Sequence, residues 1–130
     1  MKLLIVDDSL VVRNAIERGV DGGRISAVFR AEDGAQAVAL FRRHRPDLVT
    51  MDLTMPNLDG LGAIDQIRCF EPSASILVIS ALNSYKTAMD AIGRGACGFL
   101  TKPFTDREVA AAVDQLIAHA EGAGAPRGAG

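Results

Sequence analysis

The stretch Asp47-Leu48-Val49-Thr50-Met51-Asp52 is a short apolar run that stops on a carboxylate, and the turn-rich Leu53-Thr54-Met55-Pro56-Asn57-Leu58-Asp59-Gly60 follows it. Its brevity, its β-branched residues and the flanking Pro46 and Pro56 predict a buried strand. Asp52 then stands at the strand's C-terminal end, where open α/β sheets place their ligand sites. The rest of the chain can be arranged around that point.

Upstream, residues 2–6 are continuously apolar after Lys2, as expected of a strand covered on both faces, and Asp7-Asp8 end the run. Ser9 is placed to cap a helix in which Val12, Ile16 and Val20 recur at helical spacing, to about Asp21. Residues 25–31 read as a strand, and residues 35–44 as a helix with Ala35, Val38 and Phe41 inward. Its basic end, Arg42-Arg43-His44-Arg45, reads as a solvated terminus favoured by the helix dipole. Downstream, Asp59 caps a helix carrying Leu61, Ile64, Ile67 and Phe70, and residues 75–80 form a strand ending on the Ser80 hydroxyl. Ser84 caps a helix to Ile92, residues 97–101 form a strand ending before Lys102-Pro103, and Thr105 with Glu108 matches a capping box. Val109, Val113, Leu116 and Ile117 supply that last helix's inner stripe. Strands alternating with helices predict a doubly wound, five-stranded parallel sheet of the α/β class.

A chain of 130 residues, 48% hydrophobic and 23% charged, fits a single domain at residues 1–120. The Gly/Ala-rich residues 121–130 are expected to form a flexible tail, since they bury too little side chain to offset ordering entropy. A net charge of -2 gives no reason to expect direct nucleic-acid or membrane binding. No stretch approaches the roughly 20 apolar residues of a membrane span, and the first apolar run is too short for a signal-peptide core. Cys69 and Cys97 lack metal or redox spacing and read as small buried or half-buried apolar groups. Free thiols point to a cytoplasmic protein.

Asp7-Asp8, Asp52, Ser80 and Lys102 all fall at strand C-terminal ends. Singly, each has an ordinary explanation: an acidic first turn, a strand-end hydroxyl, a solvated loop cation. Recurrence at one edge makes a shared site the better reading. Crowded carboxylates call for a cation, and an all-oxygen set with room for water suits Mg2+. With Asp7 and Asp8 holding the metal, Asp52 becomes a nucleophile that forms an acyl phosphate. Lys102 and Ser80 then attend the phosphoryl oxygens.

These residues, with Met55-Pro56-Asn57-Leu58-Asp59-Gly60, Ser80-Ala81 and Phe99-Leu100-Thr101-Lys102-Pro103-Phe104, resemble the receiver domain of two-component response regulators, over residues 1 to about 120. The resemblance implies a flavodoxin-like sheet of order 2-1-3-4-5. It implies Asp52 as phosphoacceptor, the backbone carbonyl of Thr54 as a further Mg2+ ligand, and a cis bond at Lys102-Pro103. It also implies a switch: the phosphoryl group draws Ser80 inward, Phe99 turns into the vacated space, and the face of the fourth helix, fifth strand and fifth helix is remodelled. A sensor histidine kinase or histidine phosphotransfer protein is the implied donor. The implied output is a downstream protein, with the receiver a monomer or a phosphorylation-dependent dimer. Self-modification rather than turnover is expected. The alternatives are a Mg2+-dependent aspartyl-phosphate phosphohydrolase, which needs a substrate pocket and a general acid/base, and a receiver fragment of a longer response regulator.

Overall fold

Continuous apolar runs become the inner strands of the computed structural model, which describes residues 1–20, 22–55 and 57–123. In chain order the elements are β1 (Lys2–Val6), α1 (Leu10–Gly19), β2 (Ala27–Ala31), α2 (Gly34–His44), β3 (Leu48–Met51), α3 (Gly60–Phe70), β4 (Ser75–Ser80), α4 (Tyr85–Gly93), β5 (Gly98–Thr101) and α5 (Asp106–Ala123). The strands pair in parallel in the order β2-β1-β3-β4-β5, as the resemblance implied. Every residue of β3 and β4 is buried, which is why neither alternates in polarity.

Alternate residues of the inner strands feed two cores. Leu4, Val6, Val49, Met51, Ile76 and Val78 pack with Phe41 of α2 and Ile64 and Ile67 of α3. Leu3, Ile5, Leu48, Leu77 and Ile79 pack with Ile16 of α1 and Val109, Val113 and Ile117 of α5. Side chains at Ser9, Asp33, Asp59 and Ser84 each accept a backbone N–H at a helix start. Thr105 and Glu108 close the expected capping box, Thr105 Oγ1 accepting from Glu108 N and Glu108 Oε1 from Thr105 N. Among the described residues no helix is long and apolar enough to cross a membrane.

Several expectations shift. The first helix stops at Gly19, Val20 being its C-cap, while Asp21 and Pro56 lie outside the described residues. β2 begins at Ala27, although Ile25 is buried just before it. Ala37 takes the inward place expected of Ala35, and Phe70 faces outward, where the Arg42 guanidinium sits 4.7 Å above its ring. That contact, and the stacking of His44 on Phe29, tie down a helix end expected to be merely solvated. Cys69, on α3, and Cys97, in the loop before β5, are both exposed rather than buried or half-buried. Met89 joins Tyr85 and Ile92 in an exposed apolar stripe along α4. α5 continues to Ala123, past the boundary expected at residue 120, and residues 124–130 lie outside the described residues.

Candidate functional site

Parallel register brings the acidic residues to one rim. Val6 pairs with Met51, so Asp7 and Asp52 emerge side by side from adjacent strands. Asp52 N donates to Val6 O at 2.9 Å and Asp7 N to Ala31 O at 3.1 Å, so the ladder carries on through both residues. Oxygens of Asp7, Asp8 and Asp52 lie within 4.8 Å of one another, Asp8 exposed and the other two buried. From the neighbouring edge Lys102 Nζ reaches Asp7 Oδ2 at 2.7 Å and Asp52 Oδ1 at 3.6 Å. The Lys102-Pro103 peptide is cis.

Burial holds the Asp52 carboxyl above the usual carboxylate range, and the neighbouring Asp7 charge pushes the same way; Lys102 and the Thr54 N–H only partly oppose this. Negative charge here is thus incompletely compensated by the protein. Three carboxylates so close form a hard, all-oxygen donor set with one open, exposed side, which fits a small divalent cation.

Asp7 is held at every polar atom. Its Oδ1 accepts from Ser9 N at 3.0 Å, its Oδ2 from Lys102, and its carbonyl from Arg13 Nη1 at 2.7 Å. Arg13 is 7% exposed, although it is a charged residue on an amphipathic helix. Its Nη2 approaches Glu32 Oε1 at 3.9 Å, and its buried Nε meets no acceptor among the described residues. The apolar spacing of α1 gave no warning of it.

The loop after Asp52 is strapped to the start of α2. Asn57, at φ 67°, donates through Nδ2 to Asp33 Oδ2 at 2.8 Å, and Gly34 N donates to Leu58 O at 3.0 Å. A Cβ at Gly34 would fall 2.1 Å from Leu58 O, and one at Gly60 2.1 Å from Asp52 O, so both close approaches require glycine. The available signal was a repeated Asp-Gly pair, Asp33-Gly34 and Asp59-Gly60, in which a capping aspartate precedes a poor helix former.

Ser80 is wholly buried at the end of β4, its Oγ accepting from Leu82 N at 3.0 Å. Phe99 is not at the rim: it pairs with Val78, half-buried against the core beneath α3 and α4. Thr54 is exposed and donates its N–H to Asp52 Oδ1 at 3.5 Å. Beside Lys102 opens an apolar groove of about 360 Å3, lined by Val11, Val12, Ala15, Ala81 and Phe104.

A family model described as "Response regulator receiver domain" matches residues 3–114. The chemotaxis protein CheY of Listeria monocytogenes is 40% identical over 115 residues, covering 88% of this chain and 97% of that protein. CheY of Bacillus subtilis is 39% identical over 116 residues, covering 89% and 97%. Among solved structures, a chain of the CheX-CheY-BeF3-Mg+2 complex from Borrelia burgdorferi superposes with a TM-score of 0.85 at 30% identity, covering 90% of this chain and 89% of that one.

Proposed function

We propose, from the premise that this chain belongs to the response regulator receiver domains, a family of signalling domains, that it is a phosphorylation-driven switch with Asp52 as its phosphoacceptor. The observation that carries the reading is the meeting of Asp7, Asp8, Asp52 and Lys102 at one sheet edge from three separate strand ends. The receiver unit, expected to span residues 1–120, is assigned through the end of α5 at Ala123, with the alternative phosphohydrolase distinguished by turnover.

An Asp52 carboxylate oxygen attacks the phosphorus of a phosphohistidine, the oxygen–phosphorus bond forms, and the electron pair of the phosphorus–nitrogen bond returns to the imidazole. Asp7, Asp8, Asp52 and the Thr54 carbonyl would hold Mg2+. When bound, that ion neutralises charge that builds up on the phosphoryl oxygens. The Borrelia complex, which contains BeF3 and Mg2+ with CheY, supports this chemistry for a relative. Lys102, already between Asp7 and Asp52, supplies a fixed positive charge on the same side. Ser80, an acceptor in its bond from Leu82 N, keeps its own proton to donate to a phosphoryl oxygen.

The donor, a sensor histidine kinase or histidine phosphotransfer protein, must bring its imidazole to this rim, and the apolar groove beside Lys102 gives it footing. The output, binding of a downstream protein in the cytoplasm, uses the α4–β5–α5 face, where Tyr85, Met89 and Ile92 are exposed.

Incubation with Mg2+ and a small acyl phosphate, followed by intact mass, is the direct test. One hydroxylamine-labile phosphoryl adduct per chain is expected, absent from Asp52→Asn and absent when Mg2+ is chelated. Adduct surviving the Asn substitution contradicts the assignment, and release of phosphate from many substrate molecules favours the hydrolase.

A further inference from the structure

We propose that Arg13 is a positioning residue for the cation: its guanidinium clamps the peptide unit joining Asp7 to Asp8 and so presets the directions of the two carboxylates. This rests on the reading that Asp7 and Asp8 hold Mg2+. The carbonyl that accepts from Arg13 Nη1 at 2.7 Å is that of Asp7, the oxygen of the plane that also contains the Asp7 and Asp8 α-carbons. Fixing that oxygen restrains the orientation of the plane and the positions of both α-carbons, which leaves only ψ of Asp7 and φ of Asp8 to set the directions of the Cα–Cβ bonds. The Asp7 carboxylate is held again by Ser9 N and Lys102 Nζ. Asp8 is exposed, and the peptide plane it shares with Asp7 joins it to the buried framework on one side, as Ser9 does on the other.

The placement of Arg13 makes poor sense as a device for stability alone. A guanidinium buried on a helix face otherwise occupied by Ile16 carries a desolvation cost, and one of its buried nitrogens meets no acceptor among the described residues. An apolar side chain would fill the space without that cost. What it would not supply is a rigid donor fork reaching from α1 to the β1 turn and, at 3.9 Å, to Glu32 beside β2. Partners that orient metal ligands commonly matter about 10- to 100-fold in metal affinity. Arg13 acts through backbone rather than on a ligating atom, so the lower end applies.

The test is Mg2+ affinity by titration calorimetry on the full chain, for the parent, Arg13→Met, Arg13→Lys and Ile16→Val. Ile16→Val sits on the same helix and loosens its packing by one buried methylene while leaving the clamp intact. Arg13→Met is expected to bind Mg2+ about tenfold more weakly, Arg13→Lys to recover part of the loss through its single ammonium, and Ile16→Val to match the parent. Should Arg13→Met not fold, Arg13→Gln, too short to span to the Asp7 carbonyl, is expected to show the same loss. Binding as tight as the parent's in a folded Arg13→Met or Arg13→Gln overturns the inference while leaving the Mg2+ site standing. An equal loss in Ile16→Val overturns it too, since general loosening would then explain the effect. A parent that binds no Mg2+ sinks the reading of the site itself, and this inference with it.

Discussion

Asp52 carries a conflict: a buried carboxyl next to Asp7, with one partly shared ammonium to offset both. Its folded pKa is raised, chiefly by burial and then by Asp7. For an acid shifted that way the ionised form is disfavoured by the native state, so the cost is absent below the unfolded pKa of about 3.9 and complete above the folded value. Asp52→Asn keeps the shape and removes the charge. In the absence of Mg2+, the variant's melting temperature is therefore expected to exceed the parent's at neutral pH. The gap should close as pH falls toward the ordinary carboxylate range. A variant less stable than the parent at neutral pH, or a gap that widens on acidification, contradicts the strain at Asp52. Residues of this kind were legible in the sequence because their chemistry stands out at a strand end. Arg13 was not, since an arginine between Val12 and Ile16 reads as the solvent side of a helix, and only tertiary packing turns it inward.

Between elements, two glycines let α2 and α3 approach the loop that follows Asp52. Gly→Ala within a helix ordinarily gains up to about 1 kcal/mol. At Gly60 and Gly34 the added methyl would meet backbone oxygens at 2.1 Å, which no side-chain rotation relieves. Gly34→Ala and Gly60→Ala are thus expected to lose about 1–3 kcal/mol or more in urea unfolding. Gly93→Ala, with nothing within 4 Å, should be neutral or stabilising. If all three variants behave alike, the close approach is not what holds the loop. The groove beside Lys102 gives a prediction of its own. Val11, 77% exposed, lines it without touching the acidic cluster. Val11→Asp should slow phosphotransfer from the cognate phosphohistidine protein about tenfold or more, the cost of one charge against an apolar partner. Its labelling by a small acyl phosphate should stay at the parent's rate. Slowing of both would move the fault from docking to chemistry. Element types and order could be read from apolar runs and capping residues, because period and caps are local properties. The strap from Asn57 to Asp33 could not, as it depends on how two distant loops meet in space.

At the scale of the whole molecule, the rim and the proposed output face share two strands. Ser80 pairs with Thr101, and Val78 with Phe99, so β4 and β5 run from the acidic edge to the seat of α4. Phe99 packs against the core that also contains Ala91 of α4 and Ala96. A ring turning toward space near Ser80 would therefore remove a support from beneath α4, whose outer stripe is already apolar and exposed. A phosphoryl group on Asp52 would move this equilibrium only by its differential stabilisation of the two arrangements, and a full reversal of populations takes about 5.5 kcal/mol. A bond from Ser80 to a charged oxygen is worth about 1.5–3 kcal/mol, so it can move the balance substantially but not alone complete it. Hydrogen exchange with BeF3- and Mg2+ present is expected to change in α4 and β5 of the parent. In Ser80→Ala the adduct should still form at Asp52, while the change in α4 and β5 shrinks to a fraction of the parent's. An undiminished change would mean that the signal leaves Asp52 by some route other than β4, and a change absent from the parent would mean that this face does not respond at all.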